Sequence, residues 1–182
     1  MSSTLSPEMI VPCDCALGES PTWHAGSNAL YWSDIARGEL HRFRPDSGEH
    51  RVVLTGTLVS GISVERDGAL LLLGRWGAIG RFADSEIRWL RRWDPRHFGY
   101  RFNDCIADPQ GRLFAGIMGY ELDMGRVPML PGVRRRLQRA GLLRRASSRE
   151  GKLCLLSRGR RIRVVGRGLG RPNGCLLYTS PS

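Results

Sequence analysis

Residues 28–32, Asn28-Ala29-Leu30-Tyr31-Trp32, contain the pattern that decides the fold: a turn residue, one spacer, then a leucine that opens an apolar run. The pattern returns at Gly68-Ala69-Leu70-Leu71-Leu72 and at Gly111-Arg112-Leu113-Phe114-Ala115. The three copies begin 40 and 43 residues apart. A repeat of about 40 residues is typical of the blades of a β-propeller.

Each copy lies within a unit of four short predicted strands. The first unit has predicted strands at 19–23, 28–32, 38–43 and 51–54. The second has them at 60–64, 68–72, 77–82 and 87–90, and the third at 103–107, 111–115, 151–156 and 162–165. Residues 9–11 are predicted to form one further strand, which in a closed propeller would complete the final blade and which is expected to lack its partner in this chain. Four strands per unit, joined by Gly, Asn and Asp turns, predict an all-β propeller. A β-sandwich with similarly spaced hairpins is the alternative, and the in-register repetition favours the propeller.

The third unit contains an insertion at approximately 121–150. From Pro131 onward, apolar residues at 133, 137, 140 and 143 have helical spacing, and arginines fill the opposite side. Residues 126–171 hold 15 of the 28 Lys and Arg residues and one acid, so the excess positive charge behind the net charge of +11 is concentrated in this stretch. A basic helix can bind nucleic acid or an anionic surface, which would suit a non-enzymatic binding propeller. Because no aromatic residues interleave with the arginines, we favour a solvated face and expect no nucleic-acid partner.

The overall composition indicates a globular protein, with 41% hydrophobic and 25% charged residues. No apolar run approaches the roughly 20 residues of a membrane helix, and the first residues lack the pattern of a signal peptide. We therefore expect a cytoplasmic protein. The five cysteines form no C-x-x-C pair, which favours free thiols.

The last eight residues, 175–182, differ in character from the stretch before them. Cys-Leu-Leu-Tyr-Thr-Ser-Pro-Ser can be encoded by a transposon adapter used in sequencing libraries, so we interpret this tail as non-native. The alternative is that Cys175-Leu176-Leu177-Tyr178 is simply the next strand. The expected domain is then a partial propeller over residues 1–174.

Five motifs in order make the chain resemble the gluconolactonase family, which includes regucalcin (senescence marker protein). They lie at residues 17–23, 30–35, 101–104, 108–116 and 172–174. The resemblance implies a six-bladed β-propeller, of which this chain would hold about three blades and the start of a fourth. It also implies one divalent metal ion (Ca, Zn, Mn or Mg) in the central channel. The implied reaction is hydrolysis of a sugar lactone, such as a gluconolactone or an arabinonolactone, to the aldonic acid.

The resemblance also implies roles for particular residues. Glu19 and Asn173 match the metal ligands of the family, and Arg101, Asn103 and Glu121 match positions that contact substrate. The remaining family ligand, an Asp that also serves as catalytic base, belongs to a later blade. The catalytic residue is therefore unknown in this sequence, and we expect the 182-residue chain alone to be inactive.

The chemistry of these residue types agrees with the implied reaction. Carboxylate and amide oxygens suit hard or borderline divalent ions, and such an ion can polarise a lactone carbonyl for attack by water. Read without the family, Glu19 could instead belong to a turn, and Asn103 could form an Asx-turn before a strand. Cys105 stands where the family commonly has Gly, and the basic insertion follows Glu121 directly. Both departures bear on the identity of the substrate more than on the class of reaction.

Overall fold

In the computed structural model, which describes residues 6–94, 97, 99–119, 150–157 and 161–174, three four-stranded antiparallel sheets follow one another along the chain. Blade 1 consists of β1 (Gly18–His24), β2 (Ala29–Asp34), β3 (Glu39–Arg44) and β4 (Glu49–Leu54). Blade 2 consists of β5 (Val59–Val64), β6 (Leu70–Gly74), β7 (Ile79–Ala83) and β8 (Glu86–Arg91). Blade 3 consists of β9 (Tyr100–Ala107), β10 (Leu113–Gly119), β11 (Gly151–Leu156) and β12 (Ile162–Leu169). Within each blade every strand pairs with the next one in sequence, as the repeat predicts.

Some predictions are corrected or fall outside the described residues. Residues 6–17 contain no strand, so the expected strand at 9–11 is not formed, and none of the three described sheets provides it with a partner. The basic helix, the tail at 175–182 and the start of a fourth blade lie outside the described residues, as does all but the last residue of the insertion at 121–150. A 3₁₀ turn spans Ala25–Ser27, and within the described ranges no helical segment has the length and apolar character of a membrane span.

The turn residue of the repeated signature has a common backbone conformation in all three blades. Asn28, Gly68 and Gly111 have φ values of +46°, +85° and +76°, which lie in the left-handed region. Glycine adopts this region without a steric cost, and asparagine tolerates it better than most residues. The signature therefore recurs because each copy must reverse the chain immediately before the second strand of its blade.

The buried core lies between neighbouring blades. One apolar cluster joins blades 1 and 2, and its members are Ala29, Tyr31, Leu40, Val59, Ile62, Leu70, Leu72 and Phe82. The other joins blades 2 and 3, and its members are Leu73, Ile79, Phe102, Leu113, Ala115, Ile117, Cys154 and Leu156. Removal of this apolar surface from water is the main stabilising term that holds one blade against the next.

Hydrogen bonds also tie together the first strands of the three blades, β1, β5 and β9. The Ser20 hydroxyl donates to the Ser60 carbonyl oxygen at 3.1 Å, and the Ser60 hydroxyl donates to the Phe102 carbonyl oxygen at 2.5 Å. Thr22 adds a longer bond of 3.5 Å to the Ile62 carbonyl. The strands that carry the candidate site residues are thus joined in the order β1, β5, β9.

Candidate active site

The two described strands that carry candidate site residues, β1 and β9, are each interrupted by a β-bulge. In β1, Glu19 pairs with Ser33 and Thr22 with Tyr31, so Ser20 and Pro21 together oppose one residue of β2. In β9, Phe102 pairs with Ile117 and Cys105 with Ala115, so Asn103 and Asp104 together oppose Gly116. Bulges redirect side chains and are common beside active sites. Glu19 and Asn103 therefore lie where the local backbone departs from regular pairing.

Asn103 is the centre of a short hydrogen-bonded network. Only 8% of the residue is exposed. Its Oδ1 accepts a hydrogen bond from Arg101 Nη1 at 2.7 Å, and its Nδ2 donates to the Pro172 carbonyl oxygen at 2.8 Å. The Arg101 Nη1 also donates to the Phe102 carbonyl oxygen at 3.0 Å. The structure thus brings Arg101 and Asn103 together and joins both to the segment that carries Asn173.

The neighbouring Asp104 makes a second connection to that segment. Its Oδ2 accepts from the Gly174 backbone N–H at 3.0 Å, and its Oδ1 accepts from the Cys105 N–H at 2.8 Å. Asn103 and Asp104 therefore hold both sides of Asn173, although 69 and 70 residues separate the bonded positions. No local pattern in the sequence predicts this anchoring function for either residue.

Gly116 makes room for the same segment. A Cβ atom at this position would lie 2.9 Å from the Pro172 carbonyl oxygen and 3.0 Å from the Pro172 Cβ. Glycine within a strand often marks a close approach of another backbone, and that signal was available in the sequence. A cavity of about 130 Å³ lies beside this contact and is lined by Asp104, Gly116, Leu153, Pro172 and Asn173.

Glu19 lies on β1 of blade 1, whereas the group around Asn103 lies on β9 of blade 3. It is half-buried on β1, and β5 stands between its strand and β9. Glu121 lies outside the described residues. In the ranges that are described, no group of three or more His, Cys, Asp or Glu side chains could hold a metal ion. Glu19 and Asn173 offer the oxygen donors that hard divalent ions prefer, and a complete site would need ligands in addition to these two.

The segment before Glu19 is anchored by Asp34, a fully buried residue at the end of β2. Its carboxylate accepts hydrogen bonds from the backbone N–H groups of Ala16, Leu17, Ala36 and Arg37 at 2.7 to 3.2 Å. Burial by itself would raise the pKa of Asp34, but these four N–H donors outweigh burial and hold the pKa below its ordinary value. Asp34 thus ends β2 as an anion that fixes the chain two residues before Glu19.

Comparison with known proteins identifies related sequences over most of the chain. The family model described as the SMP-30/Gluconolactonase/LRE-like region matches residues 17–180. Pentonolactonase XacC from Haloferax volcanii is 40% identical over 118 residues, which cover 65% of this chain and 40% of that protein. Regucalcin from Homo sapiens is 29% identical over 120 residues, with 65% and 40% coverage. The chain therefore spans about 40% of the length of these curated relatives.

Solved structures confirm the predicted fold. A calcium-binding protein, regucalcin from Agrobacterium tumefaciens, has a TM-score of 0.64 at 20% identity, with coverage of 87% of this chain and 46% of that one. A gluconolactonase from Xanthomonas campestris has a TM-score of 0.59 at 20% identity, with coverage of 83% and 47%. At this level of identity the likeness supports the β-propeller architecture alone.

Proposed function

Since the chain belongs to the SMP-30/gluconolactonase/LRE-like family, we propose that the complete protein hydrolyses a sugar lactone to the aldonic acid with one divalent metal ion. The observation that carries this proposal is the partly buried hydrogen-bonded network of Arg101, Asn103 and Pro172, which fixes two polar side chains beside Asn173. The pentonolactonase and the gluconolactonase named above support a lactone as the substrate class.

Each candidate residue has a distinct part in the proposed reaction. Glu19 and Asn173 would ligate the metal, which when bound supplies a Lewis acid for the lactone carbonyl. Asn103 orients the Arg101 guanidinium through its Oδ1, so that Arg101 is held in place to hydrogen-bond the hydroxyls of a sugar lactone. Glu121 would contribute a further substrate contact.

The activation of water, one step of the proposed reaction, is assigned to a residue outside this sequence. By its resemblance to the family, the base that activates water is an Asp of a later blade. The 182-residue chain alone is then expected to show no lactonase activity. We further propose a cytoplasmic location and a metal drawn from Ca, Zn, Mn and Mg.

The proposal can be tested by assaying the complete protein with gluconolactone and arabinonolactone in the presence and absence of a chelator. We expect turnover that chelator abolishes and an added divalent ion restores. Turnover that persists in chelator would contradict the metal mechanism. No turnover of either lactone under any of the four metals would contradict the proposed substrate class.

The basic stretch at 126–171 supports a second candidate, a binding propeller for nucleic acid or anionic surfaces. That candidate predicts binding with a steep dependence on salt, because neutralised phosphates release counterions. Deletion of residues 126–150 should then abolish binding. The lactonase proposal predicts that the complete protein shows no such salt-dependent binding.

A further inference from the structure

Two cysteine side chains in the segment before β1 lie against each other. Cys13 Sγ and Cys15 Sγ are 3.4 Å apart, and both residues are half-buried. All four described cysteines are free thiols. A disulfide needs its sulfur atoms about 2.05 Å apart. Bond formation between Cys13 and Cys15 therefore requires a shift of little more than an ångström, which side-chain rotation can supply.

The backbone between the two cysteines favours this approach. In an extended strand, residues two positions apart are separated by roughly 6.6 Å. Asp14 breaks the extended path because its φ is +45°, in the left-handed region that aspartate tolerates better than most residues. The Asp14 carboxylate also lies 3.6 Å from the Arg37 guanidinium. The turn at Asp14 thus brings the two thiols to the same side at short range.

Polar groups of blade 1 surround Cys15. The indole Nε1 of Trp32 donates to Cys15 Sγ at 3.4 Å, and the His41 Nε2 lies 3.9 Å from the same sulfur. The His41 Nδ1 is 2.9 Å from His50 Nε2, and the Glu39 carboxylate is 3.4 Å from His41 Nε2. When the Nδ1–H of His41 donates to His50, the Nε2 of His41 is left without a hydrogen and can accept a proton from Cys15. The Glu39 carboxylate then stabilises the resulting imidazolium.

We propose that Cys13 and Cys15 form a reversible dithiol–disulfide pair that exchanges with low-molecular-weight disulfides such as oxidised glutathione. The Cys13 thiolate attacks one sulfur of the small disulfide, which forms a mixed disulfide and releases one thiolate. Cys15 passes its proton to His41 Nε2 and attacks the Cys13 sulfur, which expels the second thiolate. The two protein thiols lose two electrons and two protons in total, and the small disulfide is reduced to two thiols.

The order of the two attacks follows from the surroundings of each sulfur. Burial raises the pKa of Cys15, so the thiolate needed for the first attack is disfavoured there. Cys154 is an internal reference for an unreactive thiol. It is fully buried, and burial raises its pKa to about 11.

The experiment equilibrates the protein in glutathione buffers of increasing oxidised fraction, quenches it with acid, alkylates it in denaturant and maps the peptides. We expect Cys13 and Cys15 to lose alkylation together, while Cys154 stays alkylated. The peptide that contains both cysteines should then be two hydrogens lighter than the same peptide with two free thiols. The variant Cys15→Ser should instead accumulate a glutathione adduct on Cys13. The same adduct accumulating in the wild-type protein, or Cys13 and Cys15 remaining reduced when oxidised glutathione is in excess, would overturn the proposal.

Two matched variants of the residue between the cysteines test the geometric part. Asp14→Val places a β-branched residue where φ is positive, so the turn that brings the thiols together is disfavoured. The equilibrium constant for oxidation of the pair by glutathione should fall by about tenfold, equivalent to roughly 30 mV, and the midpoint should move to a higher oxidised fraction. Asp14→Asn keeps the tolerance for this conformation and removes only the ion pair with Arg37, so its midpoint should stay close to that of the wild type. Equal midpoints for the Val variant and the wild type would show that the turn at Asp14 does not favour disulfide formation and would overturn this part.

Discussion

Replacement of Asn103 by Asp tests whether this side chain holds the segment that carries Asn173. The change keeps the shape of the side chain but exchanges the Nδ2 donor for an oxygen, which then faces the Pro172 carbonyl oxygen at 2.8 Å. An unpaired buried acceptor costs about 1–3 kcal/mol. Arg101 offsets part of this cost because its Nη1, 2.7 Å from Oδ1, can pair with the new carboxylate.

We therefore expect a net loss of about 1–2 kcal/mol in the free energy that fixes the segment, or roughly five- to 30-fold in an equilibrium constant. If Asn173 ligates the metal, this loss appears in the metal affinity of the complete protein. Calorimetric titration with the activating metal should show a Kd raised by that factor. The kcat/KM for the lactone should fall at least as far.

A matched control introduces the same amide-to-carboxylate change away from the site. Gln110 is exposed in the turn between β9 and β10, so Gln110→Glu should leave the metal Kd and kcat/KM unchanged. An Asn103→Asp protein that binds metal like the wild type, with only KM raised, would refute the positioning role. Asn103 would then act on the substrate alone. Thermal unfolding without metal separates either result from general destabilisation.

The remaining predictions use the same assays. Glu19→Gln removes a formal charge at constant volume and should weaken metal binding by more than about tenfold, or 1.4 kcal/mol, whereas Arg101→Ala should raise KM more than it raises the metal Kd. Gly116→Ala places a Cβ 2.9 Å from the Pro172 carbonyl oxygen and should cost about 1–3 kcal/mol of stability in urea unfolding, with a weaker metal affinity. The pKa of Asp34 is lowered in the folded protein, so its stabilising contribution is present above its unfolded pKa of about 3.9 and is lost as the pH falls through the folded value. The stability difference between the wild type and Asp34→Asn should therefore be constant from neutral pH down to about pH 5 and shrink below about pH 4.

The blades could be predicted from the sequence because their determinants are local. The turn residue of each signature needs a left-handed conformation, and the apolar run after it fills a core between blades, so both leave a trace in residue type. The predicted strand at 9–11 failed for a physical reason that no local pattern shows. A strand needs a neighbour to pair with, and none of the three described sheets extends to residues 9–11, so Met9 and Ile10 stay 78% and 63% exposed.

The candidate site could be predicted only through the resemblance to a family, because its contacts join distant parts of the chain. Nothing near Asn103 indicates that its amide bonds a carbonyl 69 residues later. The bulges were equally hidden, since one extra residue changes the pairing without changing which residue types are present. Gly116 is the exception, because an interior strand glycine already indicates a close approach.

The bulges and the bonds between blades act together to set the geometry of the site. Ser20, the residue after Glu19, lies in the bulge of β1 and bonds the carbonyl of Ser60. Ser60 lies at the register shift of β5, between Val59 and Gly61, and bonds the carbonyl of Phe102, the residue before Asn103. Both bonds are buried, so they are strengthened by a low local dielectric and shielded from competition with water. Together with the apolar clusters between the blades, these two hydrogen bonds help to fix Glu19 relative to Asn103, because each bond involves a residue next to one of them in sequence.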